Sequence, residues 1–184
     1  MYYHSIKIKI MKTQTERILM VMNILTWVVF IGLAIQAGAI LVSYGVSIVN
    51  PAASKHLYKE IDLSSLKQFG FWHYTLIVSF MVAMAALKSY VAYLVIKVLS
   101  EIKMVNPFTM EIARMLERIS YFIFGVWIIT LFYDLHIAWL AKQEVGMKEN
   151  YNSGEFIFLA GVVYVISQIF KKGVEIQSEN ELTV

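Results

Sequence analysis

The side chains that could do chemistry in this chain are few. There is no cysteine among its 184 residues, which removes disulfides, thiolate nucleophiles and cysteine-ligated metals. Four histidines remain: His4, His56, His73 and His136. His56 and Glu60 are four apart, a spacing that shares a helical face, and Asp62 is nearby. A metal would need a further ligand, and a solvated loop accounts for the group. His136 and Asp134 are two apart and point to different sides of a helix, so they form no ready-made dyad. Neither a phosphate-binding Gly-rich loop nor a nucleophile elbow occurs. The expectation is a protein that is not an enzyme and carries no cofactor or metal.

Lys88 and Asp134 need explaining because of where they lie. Hydrophobic residues make up 59% of the chain and charged residues only 16%, against roughly 45–50% and about 25% in soluble domains. The charge is also clustered between long uncharged runs. A bilayer core needs roughly 20 apolar residues of helix. Ile18 to Val49 holds no ionisable residue. Trp72 to Leu87 continues past Lys88 to Ile96, Ile119 to Leu140 is interrupted only by Asp134 and His136, and Phe156 to Phe170 is a short fourth run. The fourth is expected to borrow residues from Tyr151 onward, with Asn152 or Ser153 as its cap. Within lipid, unbroken runs of this length indicate helices.

The predicted fold is therefore all-α, a polytopic membrane protein with four transmembrane helices. Basic residues precede the first run, and Ala37-Gly38-Ala39 has the look of a signal cleavage site. The run continues past it to Val49, too long for a signal core, so it is expected to stay as a helix. Ser5 to Ile10 alternates with period 2, and Met11 offers a second start of translation; the segment is expected to be a frayed or interfacial extension and not a strand of a sheet.

Basic residues set the orientation. Ten flank one side: Lys7, Lys9, Lys12, Arg17, Lys97, Lys103, Arg114, Arg118, Lys171 and Lys172. Five flank the other: Lys55, Lys59, Lys67, Lys142 and Lys148. The bias predicts both termini in the cytoplasm and places the protein in the inner (cytoplasmic) membrane. Trp72, Tyr74, Tyr133 and Trp139 fall at the expected outer ends. The organisation is a basic N-terminal segment over 1–17, a four-helix transmembrane domain over 18–172 and a cytoplasmic tail over 173–184. A formal charge of +3 gives no ground for direct nucleic-acid binding.

An ionisable side chain inside a bilayer is a functional candidate by default. Lys88 lies 16 residues after Trp72, about 24 Å along a helix, and shares a face with Ala85 and Ala92. Asp134 lies 15 residues after Ile119, about 22 Å from the inner end. The helices run antiparallel, which puts the two charges in opposite halves. Three readings stay open: interfacial snorkelling, a relay or ligand site that includes His136, and a structural pair. Ala34, Gly38 and Gly45 form a small-residue stripe on the first helix, a surface for a neighbouring helix or for a second copy in a homo-oligomer.

Between the second and third spans, Asn106 reads as an N-cap with Pro107 at the first helical position. Ile112, Met115, Leu116 and Ile119 then repeat at helical spacing, with Glu111, Arg114 and Arg118 on the other face. This is a short amphipathic cytoplasmic helix leading into the third span. Asn106-Pro107-Phe108 with Leu116-Glu117-Arg118-Ile119, and Ile169-Phe170-Lys171-Lys172-Gly173 with the final Glu179-Asn180-Glu181-Leu182-Thr183-Val184, resemble the domain of unknown function 2975 family of bacterial membrane proteins. The resemblance runs from about Arg17 to the end. Many members have Asp where this chain has Glu181. The resemblance implies a small four-helix membrane protein, often encoded beside a Cro-type helix-turn-helix regulator. No catalytic residue is established for the family, and none is carried over.

Two classes of function follow, with a membrane enzyme as a third that has the least support. One is an interaction protein that binds or restrains a soluble helix-turn-helix regulator through Asn106, Pro107, Phe108, Arg114, Glu179, Glu181, Leu182 and Val184. The other is a small transporter or permeation subunit that uses Lys88, Asp134 and His136 within the bilayer.

Overall fold

The computed structural model describes residues 14–50, 63–102, 107–143, 145 and 154–182, with side chains up to Glu179. The His56–Glu60–Asp62 group, Asn106, Val184 and the first 13 residues lie outside them. Five helices are present among the described residues: α1 (Gln14–Val49), α2 (Ser64–Phe69), α3 (Phe71–Glu101), α4 (Met110–Ala141) and α5 (Gly154–Leu182). No strand occurs among the described residues. All but α2 are long and apolar enough to cross a membrane.

The helices form an open row. By close backbone approach α1 packs on α3, α3 on α4 and α4 on α5, while α2 lies on α3. α1 does not close the ring onto α5. Much of its surface is bare: Val28 is 65% exposed, Ile35 64% and Val42 67%. Apolar area of that extent in water would drive association; facing lipid, it costs nothing. Ala34, Gly38 and Gly45 are on this bare side, and nothing lies within 4 Å of a Cβ built on either glycine. Among the described residues, the stripe therefore packs against no other helix.

Side-chain contacts fix the register. Asn23 Nδ2 donates to Ser100 Oγ (3.2 Å) near the start of α1 and the end of α3. Ser89 Oγ donates to the Phe30 carbonyl (3.4 Å) midway. Thr130 Oγ1 meets Met84 Sδ (3.3 Å) between α3 and α4. The α1 start, α3 end, α4 start and α5 end thus lie at one end of the molecule, which carries Arg17, Lys97, Arg114, Arg118, Lys171 and Lys172.

The opposite end is held by a polar clasp that the sequence pattern does not announce. Tyr74 is fully buried, and its hydroxyl shares a hydrogen bond with Ser47 Oγ (2.7 Å). Ser47 also donates to the Tyr44 carbonyl (2.7 Å), and Tyr44 Oη meets Thr75 Oγ1 (2.9 Å). Lys67, on α2, donates to the Ser47 carbonyl, placing a cation at the negative C-terminal end of α1. Tyr74 is accordingly part of the core and not an interfacial anchor, whereas Trp72 is 81% exposed.

One expectation about helix starts changes. Thr109, not Asn106, caps α4, its hydroxyl accepting from the Ile112 amide (3.3 Å). A threonine three residues before an available amide satisfies it directly, and Pro107 and Phe108 remain outside the helix. From Met110 the amphipathic stretch is continuous with the third span. α5 is described from Gly154, so its expected cap at Asn152 or Ser153 lies outside the described residues.

Candidate functional site

Lys88 lies midway along α3. Ala85 and Ala92 on its face are buried, at 4% and 7% exposure, and the lysine is half-buried. Its ammonium stands 4.8 Å from the centre of the Phe156 ring, in the first turn of α5, a favourable cation–π position. The first turn of α5 therefore lies about 24 Å from the Trp72 end of α3.

Lys88 and Asp134 form no ion pair. The Thr130–Met84 contact shows why: Asp134 is four residues from Thr130 toward one end, and Lys88 is four from Met84 toward the other. At 1.5 Å per residue they are about 12 Å apart along the axis. Asp134 is buried at 9% exposure, and its Oδ2 has no hydrogen-bond partner among the described residues.

His136 has a different partner. Its Nε2 lies 3.3 Å from Nδ1 of His73 on α3. The rings are 24° from parallel with centroids 5.2 Å apart, close to the sum expected of two rings meeting edge to edge, so one N–H donates to the other nitrogen. Trp139 covers both, at 5.1 Å from His73 and 5.8 Å from His136. No third His, Cys, Asp or Glu among the described residues joins them as a metal group. The three intramembrane candidates thus occupy three separate settings, and the sequence could not have paired residues 63 apart.

A partly open cleft of about 210 Å³ lies between α1, α3 and α4, lined by Leu33, Gln36, Ile40, Met81, Met84, Ala85, Lys88 and Tyr133. Its polar members all carry hydrogen-bond donors.

At the basic end, the two sequence blocks that carried the resemblance pack on each other. The Phe108 ring lies 5.2 Å from that of Phe170. A Cβ on Gly173 would sit 2.7 Å from Phe108 Cδ1, so the absence of a side chain there lets the ring seat against α5. Lys171 Nζ pairs with Glu117 Oε1 at 2.9 Å, and the lysine holds the Glu117 carboxyl below its usual range, with further help from the Tyr121 hydroxyl and Gln168. Lys172 pairs with Glu175 (2.8 Å), which raises the lysine.

Of the partner-binding candidates, Phe108 is 38% exposed although engaged with α5, Pro107 is half-buried, and Arg114 and Glu179 are exposed. Glu181 and Leu182 belong to the last turn of α5. The tail does not leave the helix at Gly173 but continues it. Missed in the sequence were Gly173 and the Glu117–Lys171 pair as one lock; the glycine inside a helical run was the available signal.

No curated protein and no solved structure matches the chain. The model of the family described as a protein of unknown function (DUF2975) matches residues 50–184, which includes α2 to α5 and leaves out α1, where the resemblance had been expected to begin near Arg17. The blocks that meet at Phe108, Glu117, Lys171 and Gly173 all fall within the match, and the chain belongs to the DUF2975 family.

Proposed function

We propose that the protein is a membrane-embedded interaction protein that holds a small soluble helix-turn-helix regulator at the cytoplasmic face of the inner membrane. The observation that carries this reading is the continuation of α5. Past Gly173, where Phe108 locks it to the lead-in of α4, the helix runs nine more residues to Leu182, about 13 Å. It presents Glu175, Glu179 and the half-exposed Ile176. Acidic side chains are repelled by anionic headgroups, which directs this end away from the bilayer surface and toward a protein partner. The excess of basic residues at the same end of the molecule supports a cytoplasmic location for both termini. The gene neighbourhood implied by the resemblance supports the class of partner.

A preformed helix end loses less conformational entropy on docking than a disordered tail. Deleting residues 179–184 leaves the four long apolar stretches intact, so the shortened protein should still insert. Membranes that carry the full chain should sediment with the neighbouring regulator, and membranes with the shortened chain should leave it in the supernatant. Equal retention by both would dismiss the α5 end as the docking element.

A further inference from the structure

We infer that the cleft between α1, α3 and α4 is a binding site for a small amphiphile bearing a carboxylate, with its anionic end at Lys88 and its apolar part against Ile40, Met81 and Met84. Four features carry the inference.

First, Lys88 faces no anion: among the described residues it meets the Phe156 ring and no carboxylate. Asp134, the acidic residue within the apolar run of α4, is displaced by about 12 Å along the axis. A cation at this depth is costly unless something offsets its charge, and a ring face offsets only part. Second, Gln36 and Tyr133 line the same cleft, and their side chains carry an amide and a hydroxyl donor. A ligand with two acceptor oxygens on one carbon uses such a set, whereas an amine would be repelled.

Third, the rest of the lining is aliphatic or thioether, which selects an apolar body, and the two methionines can adapt to its shape. Fourth, the size bounds the ligand. At about 210 Å³ the cleft is below the roughly 300–1,000 Å³ of pockets for drug-sized ligands. It suits a short acyl chain, or one end of a longer one. The cleft exists because the backbone of α1 approaches α3 and not α4, so side chains alone close the gap.

The test uses the full chain in phosphatidylcholine nanodiscs, with decanoate as the probe and decanol as its uncharged counterpart. Decanoate should bind saturably. Lys88→Gln should weaken that binding at least about tenfold, or about 1.4 kcal/mol, Lys88→Arg should largely restore it, and decanol should bind wild type and Lys88→Gln alike. If Lys88→Gln fails to fold, Met81→Trp narrows the cleft without touching the lysine and should produce a similar loss. Decanoate uptake that does not saturate, or that Lys88→Gln leaves unchanged, would overturn the inference.

Discussion

Replacing Gly173 with alanine separates two opposing effects of known sign. Within a helix, alanine is favoured over glycine by about 0.8–1 kcal/mol. Against this, the added methyl would sit 2.7 Å from Cδ1, 3.0 Å from Cγ and 3.1 Å from Cε1 of Phe108. These are ring atoms near the root of the side chain, so the whole ring must move. Overpacking of this kind costs about 1–3 kcal/mol. The net expectation for Gly173→Ala is a loss of about 0–2 kcal/mol.

Phe108→Ala removes the obstacle. A fully buried phenylalanine costs about 3–5 kcal/mol on truncation. Phe108 is 38% exposed, which scales the cost to about 2–3 kcal/mol. In that background Gly173→Ala should be stabilising by the full helix-propensity gain, about 0.8–1 kcal/mol. The coupling in the double-mutant cycle is then the clash itself, about 1–3 kcal/mol. Unfolding of all four proteins in detergent micelles, followed by helical circular dichroism, measures it. A Gly173→Ala change that stabilises wild type as much as it stabilises Phe108→Ala would refute the packing of the two family blocks.

Three further outcomes are expected. Because Lys171 depresses the Glu117 carboxyl in the folded state, the pair contributes stability above the usual glutamate range and loses it as pH falls through the folded-state value. Unfolding curves of wild type should therefore fall toward those of Glu117→Gln on acidification, and an unchanged gap would remove the pair from the lock. Tyr74→Phe deletes the buried bond to Ser47 (2.7 Å) and should cost about 1 kcal/mol, while Tyr90→Phe, at an exposed ring, should cost little in the same melts. Reporter fusions at Met104 and at the C-terminus should read as cytoplasmic and those at His56 and Glu149 as external; an external C-terminus would defeat the assignment of sides.

Length and hydrophobicity of the runs sufficed to identify four helices able to span a bilayer, because in lipid the backbone must satisfy its own hydrogen bonds and an apolar run of that length has few other solutions. The Ala85–Lys88–Ala92 face was legible for a similar reason: helical periodicity is local. What lay beyond periodicity was not legible. His73 and His136 are 63 residues apart, and only the antiparallel register of α3 and α4 brings their nitrogens together. The separation of Lys88 from Asp134, by contrast, already followed from their positions along two antiparallel runs. The depth at which α5 starts, on which the Phe156–Lys88 contact depends, follows from its packing on α4. Pro107-Phe108 and Lys171-Lys172-Gly173 could be recognised as blocks, but a glycine in a helix has no local reason to be there. Its reason is a ring from another element, and only tertiary structure supplies that.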